Sequence, residues 1–246
     1  RSGLPLKKFF NTSGLLYKSM ALKDKSQRGE FIQGAYRSSA AILGIAFITN
    51  IYGNSGMAPL MIIGSVPLYN IMAVLVLSFT KPGQSGMSPE LLKKTLKGIV
   101  TNPIILGILA GALWSLLRLP MPTILSKTVS NLGSLTTPLG LMTMGAAFNW
   151  GEAKTGMGPA FVASFMKLFG LCTLFLPVAV LLGFREAELI AILVMLGSST
   201  TVSSYVMARN MGHSGVLSSS IVAITTLGSA FSLTFWLYVL KTLALI

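Results

Sequence analysis

Seven stretches of this chain are each long and apolar enough to cross a lipid bilayer, and nothing else in the sequence restricts the fold as much. A crossing helix needs about 20 mainly apolar residues. The stretches lie near 33–52, 57–80, 99–117, 123–149, 157–183, 187–209 and 215–245. In hydrocarbon every backbone N–H and C=O must find a partner inside the protein, so such runs fold as helices. Composition agrees, with only 10% charged residues where a soluble domain carries roughly 25%. The expected fold class is an all-α membrane protein with seven transmembrane helices. Connections are short except for 81–98, where Pro82 to Gly86 marks a turn and Glu90 to Lys97 reads as a surface helix.

The net charge of +13 is placed for a membrane, not for nucleic acid. Seven of the 19 basic residues fall in residues 1–30, and Lys81, Lys93, Lys94 and Lys97 form a second cluster. Both clusters flank apolar runs, and no basic-aromatic surface or nucleic-acid module is visible. Counting span ends by side gives 13 basic residues on one face, against Arg118 and Arg185 and the deeper Lys127 and Lys241 on the other. The basic face is therefore cytoplasmic, and the C-terminus lies outside. The chain is expected to be a multi-pass protein of the inner (plasma) membrane. It begins at Arg1 rather than Met, and a truncated piece of a longer protein is expected. The single cysteine, Cys172, allows no internal disulfide or metal cluster. No cofactor is implied.

Two loops look alike. Tyr52 to Met57 (YGNSGM) follows the first span, and Met211 to Val216 (MGHSGV) follows the sixth. Small polar residues precede each loop, Arg37-Ser38-Ser39-Ala40 in one span and Gly197 to Thr201 in the other. The copies are five spans apart and so run in opposite directions. That is an inverted repeat, in which substrate binds near the midplane where broken helices meet.

Polar residues inside spans mark candidate sites, since burying them is costly. The densest run is Gly197 to Tyr205, containing Ser198, Ser199, Thr200 and Thr201. Its hydroxyls can satisfy backbone freed by an unwound turn, present donors to an anion, or simply bond back to their own helix. Ser38 and Ser39 are the partners through the repeat. Asn131 opens a Gly- and Pro-containing stretch that breaks or kinks the fourth span, and Pro67 to Asn70 similarly interrupts the second. Lys167 is the most central charge, and it either snorkels to the cytoplasm or meets an anionic substrate. Arg37 and Arg209 lie nearer span ends and are expected to anchor at the interface.

The six acids, Asp24, Glu30, Glu90, Glu152, Glu186 and Glu188, fall in loops or at span ends, with no buried carboxylate to carry a proton or bind sodium. The segment Gly212-His213-Ser214-Gly215 has the form of a serine-protease motif, but its only histidine adjoins the serine in sequence and is poorly placed as a base. An enzyme is not expected.

Glu30 to Ser39 (EFIQGAYRSS), Val66 to Asn70 (VPLYN), Asn102-Pro103, Leu132 to Leu141 (LGSLTTPLGL) and Ser203 to Gly212 (SSYVMARNMG) resemble, in order, the auxin efflux carrier family, and its bacterial branch most. The resemblance implies ten spans in two inverted repeats of five, as in the NhaA-type fold, with broken crossing helices. This chain would supply the last seven. Residues 1–32 would be a cytoplasmic segment, 33–80 the last two spans of the first repeat, 81–98 the connecting loop and 99–246 the second repeat. The implied activity is carriage of small organic anions such as carboxylates. The implied substrate site joins Ser38, Ser39, Ser198, Ser199, Thr200 and Thr201, with Lys167 and Asn131. Plant members carry proline where Ser38 and Ser199 stand here, so both breaks are expected to be less sharp. The expected partners are the anion and the lipid bilayer, and a homodimer is left open. A non-transporting membrane protein, receptor-like or an inactive remnant, is the rival reading.

The orientation is testable by single-cysteine labelling. With Cys172 replaced by alanine, Glu90→Cys should react with an impermeant maleimide in inside-out vesicles and stay unlabelled on intact cells. Ready labelling from outside overturns the topology.

Overall fold

The computed structural model describes residues 25–40, 44–54, 56–81, 93, 96–98, 100–101, 103–146 and 150–246. Most of the 81–98 connection, with its expected surface helix, lies outside the described residues, as does the segment before residue 25. The described residues are helical and contain no strand. The helices are α1 (Arg28–Tyr36), α2 (Ile45–Tyr52), α3 (Ala58–Phe79), α4 (Pro103–Leu116), α5 (Thr123–Ala146) and α6 (Trp150–Phe165). A π turn, Met166–Gly170, joins α6 to α7 (Leu171–Leu181). Then follow α8 (Glu186–Gly197), α9 (Ser203–Asn210) and α10 (Val216–Thr242). Three helices are long and apolar enough to cross a membrane by length and composition: Ala58–Phe79, Gly156–Leu181 and Val216–Thr242.

Two of the apolar runs form helices with a break. The first leaves the helical path after Tyr36, where Arg37 is extended at φ −76° and ψ 127°. It resumes as α2. The second breaks after Gly197, where Ser198 is extended at φ −72° and ψ 161°, and resumes as α9. The extended cap residues, Arg37 and Ser198, thus stand one residue before Ser38 and Ser199. The glycines of the two matched loops also share one backbone region. Gly53 and Gly56 take φ +72° and +44°, and Gly212 and Gly215 take +85° and +75°. Only glycine adopts this left-handed backbone at little cost.

Four apolar clusters surround the two breaks. Ala40, Ile48, Met61 and Val194 join α2, α3 and α8. Leu176, Leu193 and Leu233 join α7, α8 and α10. Phe31, Ala163 and Ile221 join α1, α6 and α10. Val74, Ile105 and Met207 join α3, α4 and α9. One pair of half-helices, α1 and α9, shares one side of the crossing, and α2 and α8 share the other. Helix α5 reaches the second break through Gly140, where an added Cβ would lie 2.7 Å from Val202 Cγ1. Elsewhere α4 and α5 expose large apolar side chains, including Leu109, Leu116, Ile124 and Leu132.

Three expectations are corrected. Neither Pro138 nor Pro67 breaks its helix, since α5 and α3 run through both. Each proline removes one helix bond, to Ile63 O from Pro67 and to Ser134 O from Pro138, and the rest of each helix continues past it. Beside Pro67, Ser65 Oγ donates to Met61 O at 2.7 Å and Asn70 Nδ2 to Val66 O at 2.8 Å. Glu30 is not peripheral but fully buried. Its Oε1 accepts from Gly215 N at 2.8 Å and Ser214 Oγ at 3.0 Å, and its Oε2 accepts from Ser218 N at 2.8 Å. An anion at a helix N-terminus satisfies orphan N–H groups and the helix dipole, so α1 caps α10. The same bonds tie Ser214 to a carboxylate, while His213 Nε2 faces Leu77 O at 2.9 Å, so no serine–histidine dyad forms.

Gly215 has both a positive φ and no room, with an added Cβ 2.7 Å from Arg209 Cδ and 2.9 Å from Tyr205 Cε2. Gly215→Ala should therefore lose at least about 1–2 kcal/mol of stability from the backbone alone, read as a lower melting temperature in detergent. Gly145→Ala, with nothing within 4 Å, should melt no lower than the parent. Equal melting of both variants contradicts the packing described.

Candidate functional site

Breaking a helix in an apolar interior strands backbone carbonyls, so the first question is what satisfies them. At the end of α8, Val194 O accepts from Ser198 N at 3.1 Å. Met195 O accepts from Tyr69 Oη at 3.2 Å and also from Ser38 Oγ, across the crossing. Leu196 O accepts from Lys167 Nζ at 2.8 Å. At the end of α1, Gly34 O accepts from Thr200 Oγ1 at 2.8 Å and Tyr36 O from Lys167 Nζ at 3.3 Å. The resuming strands of backbone are matched too. Ser39 N donates to Ser199 O at 2.9 Å, and Thr200 N to Thr225 Oγ1 at 3.0 Å.

Lys167 completes this knot. Its ammonium donates to Tyr36 O, Leu196 O and Ser38 Oγ, which uses all three of its protons. The first two acceptors are C-terminal carbonyls of different half-helices. Each helix C-terminus carries partial negative charge, and a cation there is favourable. The π turn at Met166–Gly170 carries this lysine, and such turns are frequent at functional positions. The side chain is completely buried, so it does not snorkel to the cytoplasm. Its partners lie at two helix ends inside the protein and at Ser38 in the break.

Arg37 is a further correction. It was expected at an interface but is 3% exposed inside the protein. The reason is that α1 begins at Arg28, which carries position 37 to the break itself. Its guanidinium donates to Asn70 Oδ1 at 2.6 Å, Ser203 Oγ at 2.9 Å and Met207 Sδ at 3.1 Å. All these partners are neutral. Among the described residues no carboxylate pairs with either Arg37 or Lys167, and the buried carboxylate of Glu30 is committed to α10.

The structure thus brings together Ser38, Ser39, Ser199, Thr200 and Lys167. Ser198 is buried beside them with its Oγ unpartnered, as is Ser204 Oγ in the first turn of α9. Thr201 Oγ1 lies 3.2 Å from Ser203 Oγ. Asn131 is not brought in. It lies exposed on α5, and its carbonyl accepts from Ser134 Oγ at 2.7 Å. The sequence reading missed Arg37, Asn70, Tyr69 and Thr225. For Tyr69 and Asn70 a signal was present, as polar residues beside Pro67. Among the described residues no group of three or more His, Cys, Asp or Glu could hold a metal.

Thr200→Val keeps the shape but leaves Gly34 O without its donor. It should cost about 1–3 kcal/mol, the usual penalty for an unsatisfied buried group, while Ser198→Ala should leave melting unchanged. Thermal unfolding in detergent compares the two, and a larger loss in Ser198→Ala contradicts these assignments.

Comparison with known proteins bears on the whole arrangement. No curated protein and no solved structure matches the chain. A family model described as membrane transport protein matches residues 12–237. That span covers the breaks, the buried cations and the capped start of the last helix, and its family is one of transporters, not of enzymes. The chain belongs to this family of membrane transport proteins, the auxin efflux carriers.

Proposed function

We propose that the protein is a secondary carrier for small organic anions, with the anion held where the two broken helices meet. The observation that carries this reading is the buried Arg37 guanidinium, which has only neutral partners among the described residues. An uncompensated buried charge costs several kcal/mol. A carboxylate 4 Å from a guanidinium returns about 4 kcal/mol at an effective dielectric of 20. An anionic ligand therefore completes the site electrostatically.

The surroundings favour the side nearest Arg37. Lys167 spends its protons on the two helix C-termini, which would otherwise repel an anion. Arg37 bonds Ser203, at the start of α9. A helix N-terminus offers N–H groups to anions, and the free hydroxyls of Ser198 and Ser204 add donors. In this reading Ser38, Ser39, Ser199, Thr200 and Lys167 shape the crossing, while Arg37, Ser198, Thr201 and Ser204 meet the substrate. Asn131 is left out.

The matched glycine turns and matched breaks support an inverted repeat. We take the seven apolar runs as the last seven of ten spans in an inner-membrane, multi-pass carrier working by alternating access. Two rocking halves would expose the crossing to each side in turn.

Purified protein titrated with small mono- and dicarboxylates should show saturable stabilisation by at least one of them. Arg37→Gln should weaken that binding at least about tenfold, the loss of roughly 1.4 kcal/mol, and Ser198→Ala should weaken it while melting as the parent does. Counterflow of the same carboxylate in proteoliposomes should fall in parallel. Failure of every carboxylate to stabilise the protein, or unchanged binding in Arg37→Gln, overturns the reading.

A further inference from the structure

A second feature lies away from the crossing. Between α3 and α4 runs an apolar cleft of about 720 Å³, within the range of about 300–1,000 Å³ typical of ligand sites. Ile63, Val66 and Pro67 line it from α3, and Ile108 and Gly111 from α4. Gly111 faces open space, since an added Cβ would meet nothing within 4 Å. Arg118 lies at one end.

Arg118 is held there by an unusual turn. It takes φ +50°, a conformation that favours glycine. Arg118 N donates to Ser115 O at 3.1 Å and Leu119 N to Trp114 O at 3.4 Å, closing the end of α4. The Trp114 indole then locks the turn by donating to Leu119 O at 3.1 Å. A left-handed arginine costs of order 1 kcal/mol. Its side chain is exposed, and no acidic partner engages it among the described residues. Tryptophan is enriched at the membrane–water interface, and Arg118 follows Trp114 by four residues.

An apolar cleft with an exposed cation in its lining fits one kind of molecule. We propose that this cleft binds an anionic phospholipid, one acyl chain lying against Gly111 and the headgroup phosphate on Arg118. Arginine pairs with phosphate by two parallel hydrogen bonds, and basic pockets between membrane helices hold acidic headgroups. A net-anionic headgroup is favoured over a zwitterionic one because a choline ammonium would be repelled by the guanidinium. This inference is independent of what the crossing carries.

The test uses native mass spectrometry of the purified protein with phosphatidylglycerol and phosphatidylcholine of identical chains. The wild-type protein should retain phosphatidylglycerol at least about fivefold better. Arg118→Gln should bring the two lipids to parity. Gly111→Leu, whose Cβ meets nothing within 4 Å and whose side chain occupies part of the cleft, should lower occupancy by both. Both positions are exposed, and a melting curve for each variant checks folding. Equal retention of the two lipids by wild type overturns the proposal, as does an undiminished preference in Arg118→Gln or undiminished occupancy in Gly111→Leu. Glycerol phosphate at equal concentration should not displace the lipid, and full displacement by it would show an anion site without a lipid site.

Discussion

One ammonium group holds the centre of this protein together. Lys167 Nζ gives its three protons to Tyr36 O, Leu196 O and Ser38 Oγ, and so joins the ends of two half-helices that are 160 residues apart in sequence. Without that cation two helix C-termini would face each other inside an apolar interior. Their partial charges would repel and their carbonyls would lack donors. With it, the breaks at Arg37–Ser39 and Ser198–Val202 become stable features. Each of the four apolar clusters then packs one or more of the half-helices.

The same logic appears at the far end of α10. There a buried anion, Glu30, meets a helix N-terminus, as the buried cation meets helix C-termini at the crossing. Both charged groups lie against the partial charge of opposite sign. Helix α1 is held at both of its ends in this way, by Glu30 near its start and by Lys167 at its finish. Arg37 differs from both. It has neutral partners and stands at the start of α9, where a helix dipole favours an anion. This contrast separates two charges held against helix ends from one held by neutral partners.

Much of this was legible in the sequence. The long apolar runs gave the helices because burial in hydrocarbon leaves the backbone no other choice. The repeated glycine loops and hydroxyl runs pointed to the two breaks, and Ser39 and Ser199 do meet. What was not legible depended on partners distant in sequence. Glu30 looked peripheral because its capping partners lie 184 to 188 residues away. Arg37 looked interfacial because the apolar run begins at 33, whereas the helix begins at Arg28. Pro67 and Pro138 looked like breaks, although each removes a single bond from a helix that runs on past it. Asn131 sat in a polar stretch whose outward face the sequence alone did not reveal.

The meeting of the two breaks can be measured directly. In a chain with Cys172 replaced by alanine and a protease site inserted in the 82–92 connection, Ser39→Cys and Ser199→Cys would be introduced together and the membranes oxidised. Ser39 N lies 2.9 Å from Ser199 O, so the paired cysteines are within reach of a disulfide, whose Cα atoms usually stand about 4.4–6.8 Å apart. The account predicts that the two fragments stay joined after proteolysis and separate on reduction, with neither single variant linking. Fragments that separate without reductant, while both thiols remain reactive after denaturation, would contradict it.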